Sequence, residues 1–246
     1  MPIIYLSPST QEWNQYVTGS GSEEANMNRL TDALEPYLRA NAIRWNRNSP
    51  DMTAASSVRQ ANAGEYDLYL ALHSNASGED AYGKNRGIIA FYYPGSQQGK
   101  RAADLIAQQL RKIYPLPARV TTRPTTSLGE VRLSRFPAVL AEIGYHDNSQ
   151  DARWLEGHWE DIAQQLSRAL TDYFGLPWTA PIQPAAGRVS VRWGTLNLRD
   201  YPSPEGKILA RLPGGSPLMV YGSREGWYTV RAGELSGYAA AAYIDT

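Results

Sequence analysis

The 246-residue chain has no cysteine and no net charge. The lack of cysteine excludes structural disulfides, thiolate-zinc sites and a cysteine nucleophile. Balanced charge, with 24 basic and 24 acidic residues, argues against binding nucleic acid or an anionic membrane by bulk attraction. No segment approaches the roughly 20 apolar residues that a membrane-spanning helix needs.

The N-terminus lacks the features of a secretory signal peptide. It begins Met1-Pro2-Ile3-Ile4-Tyr5-Leu6-Ser7-Pro8, with no basic residue and only a short apolar stretch. We therefore expect a protein made soluble in the cytoplasm, unless a leader has been removed.

Two domains are expected from the length and from a change in composition. Residues 178–187 are rich in Pro, Ala and Gly without hydrophobic periodicity, which predicts a semi-stiff linker. The predicted domains are therefore residues 1–177 and residues 188–246.

The first predicted domain alternates strand-like and helix-like segments, which indicates an α/β fold with a mostly parallel sheet covered by helices. Pro36 should kink the first helix or end its first part. The predicted strands are Ile3–Leu6, Ile43–Trp45, Leu68–Leu72, Gly87–Tyr93 and Ala138–Ile143, and the predicted helices begin at Ser22 or span Thr53–Asn62, Gly99–Ile113 and Asp151–Phe174. After the linker, short alternating segments between Gly/Pro turns predict a small all-β barrel.

Two candidate catalytic side chains lie at the ends of predicted buried strands. His73, one of only three histidines, follows Leu68–Leu72, and Glu142 lies in the apolar run Ala138–Ile143. The carboxyl ends of strands are where open α/β sheets place their chemistry. An imidazole and a carboxylate can hold a metal and activate its water. The alternatives are a core-edge histidine bonded to backbone, and a Glu142 paired with an arginine such as Arg132.

Four segments of the first domain resemble the zinc-dependent N-acetylmuramoyl-L-alanine amidases of the amidase 3 type. They are Tyr5-Leu6-Ser7-Pro8-Ser9, the pair Glu24 and Asn28, Leu72-His73-Ser74-Asn75-Ala76, and Pro137-Ala138-Val139-Leu140-Ala141-Glu142-Ile143-Gly144-Tyr145. The resemblance covers about residues 2–174. It implies zinc held by a His, a Glu and a second His, a catalytic Glu, and cleavage of the amide between N-acetylmuramic acid and L-alanine.

By position, the resemblance implies that Glu24 and His73 are zinc ligands and that Glu142 is the catalytic base. Glu24 is preferred to Glu23 because the family's glutamate precedes an asparagine by four positions, as Glu24 precedes Asn28. Glu23 and Glu24 have a simpler interpretation too, since acidic residues stabilise the start of a helix.

The chain departs from the family pattern in the loop after its first strand. Ser7-Pro8-Ser9-Thr10-Gln11-Glu12 stands where the family has Asp-Pro-Gly-His-Gly-Gly, so the first histidine ligand is missing. We favour Gln11 as the replacement because it lies nearest the family's histidine. Glu12 and His146 are the alternative ligands. The remaining possibility is an inactivated site that binds the substrate without cleaving it. His158, beside Trp159 on a predicted helix, is interpreted as structural.

The second domain resembles a bacterial SH3-type module, which implies binding to the cell wall. The matching segments include Gly194-Thr195-Leu196-Asn197-Leu198-Arg199 and Gly226-Trp227-Tyr228-Thr229-Val230. Tyr201, Trp227, Tyr228 and Tyr238 could form a groove for sugars or peptides. Alternatively, Trp227 and Tyr238 belong to the barrel core.

The leading hypothesis is a peptidoglycan amidase with a wall-targeting domain, acting as a phage lysin or as an autolysin. Tethering a weak wall binder to the catalytic domain would raise the local substrate concentration. The alternatives are a non-catalytic wall-binding protein that has lost its metal, and a zinc peptidase acting on stem peptides.

Overall fold

The computed structural model describes all residues, 1–246, and divides into two compact units. The α/β unit consists of Ile3–Leu34 and Trp45–Phe174, and the β unit consists of Met1–Pro2, Glu35–Arg44 and Gly175–Thr246. No helix combines the length and the apolar character that crossing a membrane requires.

Six strands and six helices precede residue 175. The strands are β1 (Ile3–Pro8), β2 (Arg44–Arg47), β3 (Leu68–Asn75), β4 (Ile88–Tyr92), β5 (Val120–Pro124) and β6 (Ala138–Tyr145). The helices are α1 (Glu23–Ala40), α2 (Ala54–Asn62), α3 (Gln97–Leu110), α4 (Gly129–Arg132), α5 (Ser149–Gly157) and α6 (Trp159–Phe174). The predicted order of strands and helices is confirmed, while β5 and α4 were not predicted.

The six strands form one mostly parallel sheet in the order β2-β1-β3-β6-β4-β5, as predicted. Strand β3 is parallel to both of its neighbours, β1 and β6, whereas β4 runs antiparallel to β6. Strands β3 and β6 therefore lie side by side in the middle of the sheet with their carboxyl ends at one edge. This is the arrangement that brings His73 and Glu142 together.

Both central strands are longer than the sequence indicated. Strand β3 continues to Asn75 and β6 continues to Tyr145, so that His73 lies within its strand and not after it, while Glu142 lies within β6 as predicted. The two residues are paired across the parallel register. A strand holds its side chains more rigidly than a loop does, so both functional groups have fixed positions.

Helix starts follow the capping residues in the sequence. The Ser22 hydroxyl accepts a hydrogen bond from the Ala25 amide at the start of α1, and Thr53 and Ser56 form a capping box at α2. Helix α1 does not end at Pro36 but continues to Ala40.

The single long helix predicted for Asp151–Phe174 is wrong, because the structure has two helices that meet at His158. The backbone of His158 is not helical, and its Nδ1 atom lies 2.7 Å from the carbonyl oxygen of Trp154. The ring also stacks on Trp154. These contacts leave His158 at the end of α5, consistent with a structural residue.

The β unit contains seven strands joined in the order β13-β7-β10-β11-β12-β8-β9. They are β7 (Pro181–Val189), β8 (Thr195–Arg199), β9 (Ile208–Pro213), β10 (Pro217–Arg224), β11 (Trp227–Ala232), β12 (Leu235–Ala240) and β13 (Ile244–Asp245). All of the recorded pairings are antiparallel, as expected for an SH3-like barrel. Tyr238 is buried, so it does not line an open groove.

Much of the segment predicted as a linker is a strand. Pro181–Gly187 forms most of β7, which pairs with β10 along its length. Hydrogen bonding to a neighbouring strand orders this segment although its Pro-rich and Ala-rich composition has no strand-like alternation. The Asn41 side chain also belongs to the β unit, where it exchanges two hydrogen bonds with the backbone of Thr179.

Candidate active site

His73 lies in the α/β unit with a carboxylate on each side of its ring. Its Nδ1 atom is 2.9 Å from Glu23 Oε1, and its Nε2 atom is 2.9 Å from Glu130 Oε2. All three side chains are buried. The ring of His73 is therefore held by two glutamate side chains, so the alternative of a histidine bonded to backbone is excluded.

The two glutamates keep His73 charged. Burial alone would lower the pKa of His73, but hydrogen bonds to Glu130 and Glu23 and their negative charges raise that pKa well above its usual value. Burial would likewise raise the pKa of each glutamate, yet the hydrogen bond to His73 and its charge lower both. The imidazolium thus donates one hydrogen bond to each carboxylate.

Glu130 is a site residue that the sequence did not reveal. It lies on the short helix α4, which was not predicted, and it is almost fully buried. Its Oε1 atom accepts hydrogen bonds from the hydroxyls of Ser7, at 2.6 Å, and Tyr69, at 2.7 Å. The only available signal was a glutamate next to Val131 between two strands, which does not distinguish a site residue from a surface residue.

Glu142 lies beside His73 on the neighbouring strand. Its Oε2 atom is buried and has no hydrogen-bond partner. Burial raises the pKa of Glu142 to about 7. The positive charge of His73 has the opposite effect on this pKa but is the smaller of the two. The alternative of an ion pair between Glu142 and Arg132 is wrong, because Arg132 is exposed and Glu142 Oε2 has no partner. Glu142 is therefore a carboxyl group that can take up and release a proton near neutral pH.

The structure brings Glu23, and not Glu24, into contact with His73. Glu23 is 1% exposed and bonds to His73 and to the amide of Ser74, whereas Glu24 is partly exposed and only lines the adjacent cavity. The Asn28 side-chain amide bonds to the Glu24 backbone carbonyl within the helix and does not contact His73.

Gln11 lies next to His73, with its amide orientation set by Asn14. The Asn14 side-chain nitrogen donates to Glu23 Oε2, at 2.8 Å, and to Gln11 Oε1, at 3.1 Å. The Gln11 nitrogen Nε2 therefore faces His73 Nδ1, 3.5 Å away. Gln11, predicted to be a metal ligand, thus lies beside His73 with its amide nitrogen on the side of the imidazole.

The two alternative replacements for the missing histidine lie apart from His73. Glu12 is exposed and lines the cavity without contacting His73. His146 is buried, stacks on Tyr16, and places its Nδ1 atom 3.0 Å from the backbone carbonyl of Ser74. Nowhere in the chain do three or more His, Cys, Asp or Glu side chains form a group arranged to hold a metal ion.

A cavity of about 670 Å³ opens onto these residues. His73, Glu142 and Gln11 lie along it, and the side chains of Trp13 and Leu133 line it while exposing 69% and 49% of their surface. Apolar side chains with a few polar groups among them are typical of a ligand-binding cavity.

Comparison with known families identifies both parts of the chain. Residues 12–172 match the family described as N-acetylmuramoyl-L-alanine amidase, and residues 194–245 match the bacterial SH3 domain. The first match covers more than half of the chain and includes His73, Glu130 and Glu142.

Individual proteins are similar to this chain in sequence or in fold. The chain is 26% identical over 183 residues to the uncharacterized protein YqiI of Bacillus subtilis, covering 70% of this chain and 84% of YqiI. The amidase AmiC2 of Nostoc punctiforme has a similar fold, with a TM-score of 0.62 at 15% identity over 71% of this chain and 97% of AmiC2. The catalytic domain of the amidase CwlV from Bacillus (Paenibacillus) polymyxa also has a similar fold, with a TM-score of 0.61 at 18% identity. The similarity covers 71% of this chain and 99% of the CwlV domain.

Proposed function

The chain belongs to the N-acetylmuramoyl-L-alanine amidase family, and we propose that the cavity around His73 is where it cleaves peptidoglycan between N-acetylmuramic acid and L-alanine. The observation that carries this proposal is the pairing of His73 and Glu142 on adjacent parallel strands. That pairing puts a metal-binding type of side chain and an unpartnered carboxyl group in one cavity.

His73 and Glu23 have the kinds of donor atom that the zinc ion implied by this family would need, although no third His, Cys, Asp or Glu side chain completes the set. An imidazole nitrogen and a carboxylate oxygen, His73 Nδ1 and Glu23 Oε1, lie 2.9 Å apart and are both good zinc donors. On the opposite side of the ring, Glu130 accepts the Nε2 hydrogen, as carboxylates do behind metal-binding histidines. His73 and Glu23 would hold the ion through these two atoms once the proton between them is lost. We therefore assign the carboxylate ligand to Glu23 in place of Glu24.

Glu142 is proposed as the general base. A bound zinc ion would supply Lewis acidity, which lowers the pKa of a water molecule and polarises a carbonyl group. Glu142 would accept the proton of the attacking water and then donate it to the leaving amine. A pKa of about 7 suits both steps, because the group changes its protonation state readily near neutral pH.

The match to the SH3 domain and the match to the amidase family both support action at the bacterial cell wall. We propose that the module binds the wall and keeps the catalytic unit near its substrate. A covalent tether raises the effective substrate concentration without requiring tight binding by either part.

Zinc binding can be tested with two pairs of matched variants. Glu23→Gln should lower zinc affinity at least tenfold, while Glu24→Gln, which changes the adjacent residue of the same type, should leave it unchanged. His73→Ala should likewise lose zinc, while His146→Ala should keep it. Isothermal titration calorimetry, in which zinc is added to the metal-free protein, measures the zinc affinity of all four variants. An effect of Glu24→Gln that equals the effect of Glu23→Gln would contradict the assignment.

Activity is tested by digesting purified peptidoglycan and analysing the products by mass spectrometry. The proposal predicts stem peptides that begin with L-alanine, released by the native protein and not by Glu142→Gln. Because Glu142→Gln leaves His73 and Glu23 in place, it should bind zinc like the native protein. Peptides cut within the stem would instead indicate a peptidase.

A further inference from the structure

We propose that a cleft in the β unit is the wall-binding site of this protein, and that it binds a stem peptide of peptidoglycan through a free carboxylate. This inference rests on the proposed binding of the wall by the SH3 module and is independent of the chemistry at His73. The cleft has a volume of about 730 Å³. Its lining includes Trp193, Trp227, Tyr243, Arg192, Arg199 and Pro204.

Two aromatic residues of the cleft are far more exposed than a folded protein requires. Trp193, in the loop between β7 and β8, is 84% exposed, and Tyr243, directly before β13, is 51% exposed. Large aromatic side chains stabilise a protein mainly when they are buried, and exposed apolar residues that share one patch mark interaction sites. These two rings therefore offer flat apolar faces to a ligand.

The cleft differs from the aromatic groove that the sequence suggested. Of the four aromatic residues considered for that groove, only Trp227 lines the cleft. Tyr238 is buried, and Tyr228 packs against the core of the barrel. Tyr201 is exposed but lies outside the cleft.

The charge of the cleft favours an anionic ligand. No aspartate or glutamate lines it, whereas two arginines do. Arg199 is already partly engaged, because its Nη1 atom donates to the carbonyl oxygen of Gly206 at 2.6 Å and its charge acts on the exposed Glu205 outside the cleft. Arg192 is exposed and forms no hydrogen bond or ion pair. Its guanidinium group is therefore available to a carboxylate, which it can bind through two parallel N–H···O bonds.

Among the polymers of a bacterial wall, the stem peptide matches these features. Its free carboxylates complement Arg192, and its peptide groups and apolar side chains can pack on the aromatic rings. A glycan whose lactyl groups carry peptides is neutral and would leave the arginine without a partner. A polyanion such as teichoic acid carries charge along its whole length and would need a longer row of basic residues than two arginines.

The test follows the indole N–H signal of Trp193 by NMR in the full-length protein. That signal is identified as the one missing from the spectrum of Trp193→Ala. Adding the soluble peptide L-Ala-γ-D-Glu-L-Lys-D-Ala should shift the signal until it saturates, which gives the affinity at this site alone. The same peptide with both carboxylates amidated should bind about tenfold more weakly, because it loses the charged hydrogen bonds.

Two arginine variants show whether Arg192 binds the carboxylate. Arg192→Gln should weaken binding of the free acid about tenfold and leave binding of the amidated peptide nearly unchanged, because both changes remove one interaction. Arg188→Gln removes the same charge from an exposed position of β7 outside the cleft, and it should leave both affinities unchanged.

Several results would overturn the inference. An unmoved Trp193 signal, or an equal effect of the two arginine variants, would show that the cleft is not a site for the peptide. A shift caused by an N-acetylglucosamine oligomer or by poly(glycerol phosphate), and not by the peptide, would overturn the choice of ligand.

A sedimentation assay separates this inference from the proposed function. Metal-free full-length protein that does not sediment with insoluble peptidoglycan would overturn the proposed binding of the wall itself. Sedimentation together with an unmoved Trp193 signal would overturn only the assignment of the cleft.

Discussion

Replacing Glu142 with glutamine should stabilise the protein, and the gain should grow as the pH rises. Burial raises the pKa of Glu142 from 4.5 to about 7, and Oε2 has no hydrogen-bond partner. Folding therefore favours the protonated form. Below pH 4.5 the carboxyl group is protonated in both the folded and the unfolded chain. Above pH 7 it is ionised in both, and the folded chain must hold a buried charge.

The size of the effect follows from the shift in pKa. Each unit corresponds to about 1.4 kcal/mol, so the native protein should lose about 3 kcal/mol relative to Glu142→Gln as the pH rises from 4.5 to 8. Comparing the two proteins at each pH cancels the titrating groups that do not interact with Glu142, and any constant effect of the glutamine amide.

Urea unfolding at several pH values, in the presence of EDTA, measures this difference. Glu12→Gln, which removes an exposed carboxylate of the same cavity, controls for the loss of one negative charge. A difference between native protein and Glu142→Gln that stays constant from pH 4.5 to 8 would refute the raised pKa. It would also remove the argument that Glu142 is suited to proton transfer at neutral pH.

Three further predictions concern activity and stability. In a pH series, kcat/KM should rise through about pH 7, because Glu142 must be ionised to accept a proton. A flat profile from pH 5.5 to 8.5 would contradict this prediction. Glu130→Gln should lower the free energy of unfolding by about 1–3 kcal/mol in urea, since an amide cannot accept from all of the donors that Glu130 serves. Trp13→Ala should raise KM more than it lowers kcat in steady-state assays, because its exposed ring lines the cavity; an unchanged KM would remove Trp13 from substrate binding.

The fold could be predicted from the sequence because its signals are local. Apolar runs and a helix-start residue such as Ser22 marked the strands and helices, and their alternation indicated a mostly parallel sheet. His73 and Glu142 stood out because each interrupts an apolar run. The boundaries were less predictable, since hydrogen bonding between β3 and β6 extends both strands beyond their apolar parts.

The surroundings of His73 could not be predicted because they depend on contacts between distant segments. Glu130 reaches His73 from 57 residues away along the chain, on a helix of four residues that has no periodic signal. The choice between Glu23 and Glu24 depends on which face of α1 points at the sheet. The orientation of the Gln11 amide depends on Asn14 and Glu23 together, and no spacing rule contains that information.

The central claim is that this chain cleaves the bond between N-acetylmuramic acid and L-alanine through Glu142. The most direct measurement labels the free amino groups of a peptidoglycan digest and counts N-terminal L-alanine. The account predicts that N-terminal L-alanine increases with time for the zinc-loaded native protein and not for Glu142→Gln, without new reducing sugar ends. Equal release by both proteins, or release by neither, would contradict it.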